Sequence, residues 1–321
     1  MTTTDVPPTT VRTTQLVVAL ATYRRPDELR GLLPALVEQL ADVADLVGTA
    51  GVLVVDNDPE ASARTLLEEW SGTAVRYVHE PEPGIAAARN RALAEAGTSG
   101  TLVFIDDDEV PHPGWLRALL DTQAATGAAA VAGAVVSAYD GELLPWVAAG
   151  DFFRRRRLPT GTPIEVAATN NLLLDLAVVT RLGLRFDAAF GISGGSDTLF
   201  TRQLTRSGAP MVWCDEAVVT DRVPTARLTP RWVLARAYRL GNSATRVDLV
   251  LAGTPRERLQ AQSRGLARGA VRVAGGSARA LAGLVTGRPR HQARGLRTAA
   301  RGLGMAAGTV GLVYQEYRRR S

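Results

Sequence analysis

The residues best suited to chemistry stand together: Asp106, Asp107, Asp108 and Glu109 follow directly on the apolar run Val103-Phe104-Ile105. Acids this close repel one another unless a cation neutralises them or open solvent surrounds them. The run before them is apolar enough to be a buried strand, so the acids fall at its C-terminal end. In open α/β sheets that edge is where ligands bind. Carboxylates there can hold Mg²⁺ or Mn²⁺, hard cations that take oxygen ligands and are commonly shared with substrate phosphates. A solvated acidic turn would account for the same residues, so their surroundings decide.

Two further strand ends carry polar signatures and belong on the same edge: Thr22-Tyr23-Arg24-Arg25-Pro26 and Asp56-Asn57-Asp58. A carboxylate at the second could accept a hydrogen bond from a base N–H, as uracil or thymine offers. The segment at 80–90 places Arg89 and Asn90 about one and a half turns into a helix. Helix N-termini and guanidinium groups both favour phosphate. No Gly-x-x-x-x-Gly-Lys loop is present, and no Gly-x-Gly-x-x-Gly follows a strand. That counts against a Walker-type nucleotide site and against a dinucleotide-binding oxidoreductase. His79, His112 and His291 are scattered without metal-ligand spacing and read as structural or solvated.

The elements that must position these groups are read from periodicity. Residues 15–22, 51–55, 75–78 and 101–105 are short apolar strands, and helical spacing covers 26–40, the stretch through Leu66, Leu67 and Trp70, 84–96 and 113–125. Successive β-α units of this kind argue for a parallel, doubly wound sheet with right-handed crossovers. A strand at 128–138 comes next, then a Pro/Gly-punctuated stretch at 139–163 that contains four consecutive arginines at 154–157. Residues 165–174 read as a strand, 176–182, 197–207 and 231–243 as helices, and 210–219 as an edge strand or hairpin.

Charge divides the chain. Hydrophobic residues are 46% and charged residues 21% of 321, an ordinary globular balance. Net charge is +5, yet residues 251–321 alone hold 14 Arg against two Glu, so that segment carries +12 and the rest −7. The chain has no Lys, so its side-chain bases are guanidinium groups, suited to forked phosphate contacts, apart from the three histidines. Arg264, Arg268 and Arg272, then Arg290, Arg294, Arg297 and Arg301, recur at three- and four-residue spacing among Ala, Leu, Val and Gly. This pattern predicts amphipathic helices over 256–320 that lie on an anionic membrane surface, or else a solvated hairpin packed on the body. Nucleic acid is not expected as a partner, because stacking aromatics are sparse there. No apolar run reaches the roughly 18 residues that a span requires. Cys214 is the one cysteine, so no internal disulfide forms, consistent with a reducing compartment.

The chain resembles the family 2 glycosyltransferases of the GT-A fold, inverting enzymes that use nucleotide-diphosphate sugars. The resemblance rests on Thr22-Tyr23-Arg24-Arg25-Pro26, Val55-Asp56-Asn57, Gly84 through Asn90, Phe104-Ile105-Asp106-Asp107-Asp108 and Gly194-Gly195-Ser196-Asp197. It implies a GT-A α/β fold, a doubly wound, mostly parallel sheet flanked by helices, with a basic helical C-terminal extension. Three segments follow: a disordered tail at 1–14, a catalytic domain at 15–250 and the extension at 251–321.

By the same resemblance Asp56 contacts the nucleobase, while Thr22, Tyr23 and Arg24 line the nucleotide pocket with Arg89, Asn90 and Asp107. Asp106 faces the ribose and shares the Mg²⁺ or Mn²⁺ site with Asp108, which faces the metal bridging the diphosphate. Asp197 is the general base for the acceptor hydroxyl. Two departures stand out. Ser196 replaces the acid that commonly precedes the base, and Asp221 stands where relatives place a His, either as a further metal ligand or with no such role. Gly194 and Gly195 would admit an acceptor close to the backbone, and Asn170 and Asn171 either line the sugar pocket or satisfy a turn. The arginines at 154–157 are either solvated or meet the phosphates of a lipid-linked acceptor. Arg236 and Arg239 could close over the diphosphate.

The expected activity is hexosyl transfer from a UDP-, dTDP- or GDP-sugar to a glycan or lipid-linked acceptor in cell-envelope polysaccharide biosynthesis. The expected location is cytoplasmic, peripheral on the inner face of the membrane. A sugar nucleotidyltransferase and a catalytically silent nucleotide-sugar-binding or membrane scaffold protein remain as alternatives.

Overall fold

The computed structural model describes residues 12–191 and 193–314. Expected features at 1–11 and 315–321 lie outside them, and Thr13 and Thr14, assigned above to the tail, already belong to the first strand.

The chain begins with β1 (Thr13–Thr22), α1 (Pro26–Asp42), β2 (Val47–Asp56), α2 (Arg64–Glu68), β3 (Val75–His79), α3 (Ile85–Ala96) and β4 (Thr101–Ile105). β1 pairs in parallel with β2 on one side and β4 on the other, and β2 pairs in parallel with β3. Parallel pairing places the C-terminal ends together: Thr22 lies opposite Asp56, and Asp56 opposite His79. The chain leaves β1 toward β2 but returns to the far side of β1 as β4, which makes the β1–β4 crevice a topological switch point.

α1 forms because Leu29, Leu32, Leu33, Leu36 and Leu40 fall on one face, and Pro26 stands in the first turn, where no N–H is required. That face is buried with Leu16, Val18, Leu20, Val52 and Val54 of the strands. Burying a leucine of this kind contributes roughly 1.5–3 kcal/mol.

The remaining elements are β5 (Glu109–Pro111), α4 (Trp115–Thr126), β6 (Ala130–Tyr139), α5 (Pro145–Gly150), β7 (Asn171–Asp175), α6 (Leu176–Arg181), α7 (Ser196–Arg206), β8 (Met211–Val223), α8 (Pro230–Val250), α9 (Pro255–Val285) and α10 (Pro289–Thr309). β7 pairs antiparallel with β4 and with β6, giving a mixed eight-stranded sheet in the order β3-β2-β1-β4-β7-β6-β8-β5. Three expectations are corrected. The strand expected at 165–174 begins only at Asn171, β8 is not an edge strand because the short β5 lies outside it, and β5 itself was not foreseen.

The chain divides into two compact units: 1–135 with 156–185 and 204–220, and 136–155 with 186–203 and 221–321. The helices after 250 therefore group with three earlier segments instead of standing apart as an extension from 251 onward. In the second unit α9 opens with Thr254, whose hydroxyl accepts from the Glu257 N–H at 3.2 Å, while the Glu257 carboxylate accepts from Gly253 N–H at 2.7 Å. This reciprocal cap explains why so long a helix starts abruptly.

Candidate active site

In the first unit the three polar strand ends form a connected network. Thr22, at the last position of β1, is buried and its hydroxyl donates to Asp107 Oδ2 at 2.9 Å. Arg25, at the N-cap of α1, donates from one guanidinium nitrogen to Asp107 Oδ1 at 2.7 Å and to Asp108 Oδ2 at 3.1 Å. Arg89 of α3 approaches Asp106 at 3.9 Å. The acidic turn is thus met by guanidinium groups from two different helices.

One guanidinium between two carboxylates leaves an imbalance that the charges register. For Arg25, burial opposes the cation, but Asp107 and Asp108 outweigh it and hold the group more firmly protonated than usual. Asp107 shifts upward instead: burial is the largest cause and the Asp108 charge adds to it, together exceeding what Arg25 and Thr22 offset. Arg25 gains from both acids while each acid has only a share of Arg25, so the two directions are compatible.

Asp107 points inward, whereas the side chains of Asp106 and Asp108 keep 44% and 21% of their surface exposed. The turn is braced from beneath by Glu109, which is buried, accepts the Asp106 N–H at 3.3 Å and accepts from the Asn170 amide at 2.5 Å. Among the described residues no three His, Cys, Asp or Glu side chains gather as a metal cage. Two accessible carboxylates suit a hard cation that completes its shell with water and phosphate oxygens, as Mg²⁺ and Mn²⁺ do.

The Asp56 loop is built differently from expectation. Asp56 is fully buried, and its oxygens accept from Asp58 N–H at 3.0 Å, Ala63 N–H at 2.9 Å and the Tyr77 hydroxyl at 3.3 Å. In this structure those three bonds hold the loop. Asn57 staples the neighbouring turn, donating to the carbonyls of Glu80 at 2.9 Å and Glu82 at 2.6 Å and accepting from Gly84 N–H at 2.9 Å. That turn delivers Arg89 and Asn90 on α3. Arg24 has φ of 56°, a left-handed conformation that costs a non-glycine residue about 1–3 kcal/mol. Its guanidinium lies 3.2 Å from Asp58 and 5.2 Å from the exposed Tyr23 ring.

Asn171 is a second correction. It is buried, accepts from the Trp115 indole at 2.9 Å and donates to the carbonyls of Ala134 at 3.0 Å and Ala217 at 2.8 Å. Those bonds tie α4, β6, β7 and β8 together and leave it no part in a sugar pocket; Asn170, one residue earlier, braces Glu109.

The second unit holds the Gly194-Gly195-Ser196-Asp197 loop. Gly194 and Gly195 have φ of 75° and 100°, which only glycine adopts without strain. A Cβ on Gly195 would also sit 3.0 Å from the Ser243 Cβ. α8 fastens the loop: Ser243 donates to Gly194 O at 3.2 Å, and Arg246 donates to the Ser193 hydroxyl at 2.6 Å. Asp197 occupies the first turn of α7, half-buried, where a carboxylate complements the exposed N–H groups of the helix. Asp221 is buried in an ion pair with Arg155, so a guanidinium takes the place where a further metal ligand was considered.

Residues 17–183 match the model of the glycosyl transferase family 2 proteins. The chain belongs to that family and is a glycosyltransferase, which removes the nucleotidyltransferase and scaffold alternatives. It is 35% identical over 241 residues to the succinoglycan biosynthesis protein ExoM of Rhizobium meliloti (strain 1021), covering 73% of this chain and 75% of that one. It is 27% identical to the glycosyltransferase AglE of Haloferax volcanii over 52% of this chain and 55% of that one. Crystal structures of Staphylococcus aureus TarS 1–349 share the fold. That with UDP has a TM-score of 0.52 at 16% identity, covering 89% of this chain and 90% of the other, and that with UDP-GlcNAc has a TM-score of 0.50 at 15% identity over the same shares.

Sequence reasoning gave Arg25, Glu109 and Asn57 no roles of their own. Arg25 had a signal, since an arginine directly before a helix-opening proline sits at an N-cap beside the strand end. Asn57 acts through hydrogen bonds to residues at least 23 positions away, and Glu109 joins the nearby Asp106 N–H to Asn170, 61 positions away; no local pattern marks the distant bonds.

Proposed function

We propose that the protein transfers a sugar from a UDP-sugar to an acceptor hydroxyl with inversion, in the assembly of an extracellular or cell-envelope polysaccharide. The observation that carries this is the division of labour in the acidic turn. Thr22 and Arg25 draw Asp107 inward, which leaves Asp106 and Asp108 as the accessible pair at the switch point. The donor class is supported by the UDP and UDP-GlcNAc bound in TarS, and the polysaccharide by the printed role of ExoM; dTDP- and GDP-sugars are the outcomes against which UDP is tested.

Asp106 and Asp108 would hold Mg²⁺ or Mn²⁺, which when bound stabilises charge on the departing diphosphate. Arg89 and Arg25 lie beside the same carboxylates and supply fixed positive charge to donor phosphates. Tyr23 offers an exposed ring to the base and Asn90 lies one residue beyond Arg89, while Asp56 shapes the loop beneath them. Asp197 removes the proton from the attacking acceptor hydroxyl, and Gly194 and Gly195 supply the left-handed turn that leads into its helix. Asp197→Asn is expected to abolish transfer from UDP-GlcNAc or another UDP-sugar while UDP affinity stays unchanged. Full turnover in that variant would remove Asp197 as the base.

The outward side of α9 supports a peripheral membrane location on the cytoplasmic face, with a lipid-linked acceptor. Leu259, Leu266, Leu281 and Leu284 are 63%, 45%, 61% and 62% exposed, among Arg264 and Arg268. Exposed leucines with arginines beside them suit an anionic bilayer surface, where each basic residue contributes roughly 1 kcal/mol. No helix among the described residues is long and apolar enough to cross a membrane.

A further inference from the structure

We infer that α9 and α10 together form a binding site for a phosphomonoester, built from Arg272, Arg297 and Arg301. The site lies within the second unit and stands without the function proposed above.

Glycines set the spacing of the two helices. A Cβ on Gly269 would lie 2.9 Å from Gly302 O, and one on Gly276 2.5 Å from Ala299 N, so the backbones run nearly in contact. Long side chains that flank such a seam are brought together. Arg297 and Arg301 stand four residues apart on one side of α10. Arg272 of α9 starts against the same stretch, because a Cβ on Gly302 would lie 2.8 Å from the Arg272 Cβ. The Arg297 guanidinium lies 5.7 Å from the centroid of the buried Phe152 ring, which restricts where it points. Arg272 and Arg297 are half-buried and Arg301 is exposed, so a ligand has an approach.

No acid answers these three charges. α10 packs on α5, α8 and α9. α5 and α10 contain no Asp or Glu, α8 contains only Asp248, and α9 only Glu257. Asp248 pairs with Arg202, and Glu257 accepts from Gly253 N–H at the helix start. Asp151, at the C-cap of α5, pairs with Arg294 at 3.5 Å and with Arg154 at 3.9 Å. Among the described residues the side chains of Arg272, Arg297 and Arg301 have no ion pair and no hydrogen bond. Their charges act on one another instead. Burial lowers the Arg297 guanidinium below its usual value and the charge of Arg294 adds to it. Arg301 is lowered by lost hydration first, then by Arg272 and Arg297. Like charges held together are costly unless an anion completes them. Guanidinium forks match phosphate oxygens in pairs. Three positive charges suit a phosphomonoester, which carries roughly −1.5 to −2 near neutral pH, better than a diester with its single charge.

Two sources share this chemistry: a soluble phosphate ester, and a lipid that ends in a phosphate. The test is calorimetric titration of the full chain with glycerol 3-phosphate in EDTA, with circular dichroism confirming that each variant is folded. Binding is expected, weakened at least about tenfold in Arg297→Gln and in Arg301→Gln. Arg301→Lys, which keeps the charge without the fork, should fall between. Arg258→Gln removes the same charge about 21 Å along α9 from Arg272 and should leave binding unchanged. Co-sedimentation with phosphatidylcholine vesicles that contain phosphatidic acid, or phosphatidylglycerol at matched surface charge, separates the sources. A preference for phosphatidic acid that Arg301→Gln erases assigns the site to a lipid phosphate. Glycerol 3-phosphate held by these arginines, with the two vesicles bound alike, assigns it to a soluble ester. The inference is overturned if glycerol 3-phosphate fails to bind and the vesicles are held alike, or if folded Arg297→Gln and Arg301→Gln bind as the unaltered chain does. It is equally overturned if Arg258→Gln weakens binding as much as they do.

Discussion

On α1 the residues that go to the interior are Leu29, Leu32, Leu33 and Leu36, whereas on α9 they are Ala261, Gly265, Gly269, Gly276, Ala280 and Gly283. The leucines of α9 face outward instead. The same contrast runs through α10, which buries Gly295, Gly302, Gly304 and Gly308 while Leu296 and Leu303 are exposed. In the first unit apolar volume makes the core. In the helices of the second, the absence of side chains lets backbones approach, and the larger apolar groups are left for another surface. Stability in one region should depend on keeping side chains large, and in the other on keeping them absent.

The most damaging way to probe this contrast is to add volume to the glycine seam. A Cβ on Gly304 would lie 1.9 Å from Tyr238 O, and one on Gly241 2.0 Å from Arg301 O, both against backbone that cannot rotate away. Gly304→Val is expected to cost about 3 kcal/mol or more in urea unfolding, at or beyond the usual range for overpacking. A loss near zero would show that the seam is not close-packed. The reverse change in the other region, Leu33→Ala at a fully buried site, should cost about 2–5 kcal/mol by leaving a cavity.

A subtler probe uses the acidic turn. Asp107 has its folded-state pKa raised by burial first and by Asp108 second, so the folded chain keeps that proton at pH values where the unfolded chain has lost it. Stability from this group therefore increases as pH falls through the raised folded value toward the ordinary value of about 3.9, and is lost as pH rises. Urea titrations of wild type and Asp107→Asn between about pH 4 and about pH 7 should show the wild type gaining on the variant toward the acid end. A parallel pair of profiles would remove the shift.

The smallest effect on folding belongs to the outward side of α9. Leu266→Gln should change stability by less than about 0.5 kcal/mol, yet reduce co-sedimentation with phosphatidylserine vesicles. Binding of the unaltered chain should itself weaken with salt. A chain that ignores such vesicles at low salt would assign that face to something other than an anionic bilayer.

How much of this was legible depends on how local its cause is. α1 could be read because its leucines repeat within one helix, and β4 because Thr101–Ile105 is apolar without interruption. The acidic turn was legible for the same reason, since the four acids adjoin. What the chain does not announce is where long-range partners fall. Asn171 resembles a pocket residue until Trp115, Ala134 and Ala217 take all its hydrogen bonds. Asp56 gives no sequence sign that Ala63 and Tyr77 bond to it. The amphipathic pattern over 256–320 was visible, but the face that packs was not, because Gly and Ala register as weakly apolar on any periodicity scale while Leu registers strongly.

The proposed transfer depends most on Asp106 and Asp108 acting as an accessible pair for a divalent cation shared with a diphosphate. Calorimetric titration of UDP with and without Mn²⁺, on the unaltered chain and on Asp106→Asn and Asp108→Asn, tests it directly. Mn²⁺ should tighten UDP binding in the unaltered chain by at least about tenfold, or about 1.4 kcal/mol, and each substitution should erase most of that gain. Equal UDP affinity in Mn²⁺ and in EDTA, or a full Mn²⁺ effect surviving in both variants, would contradict it.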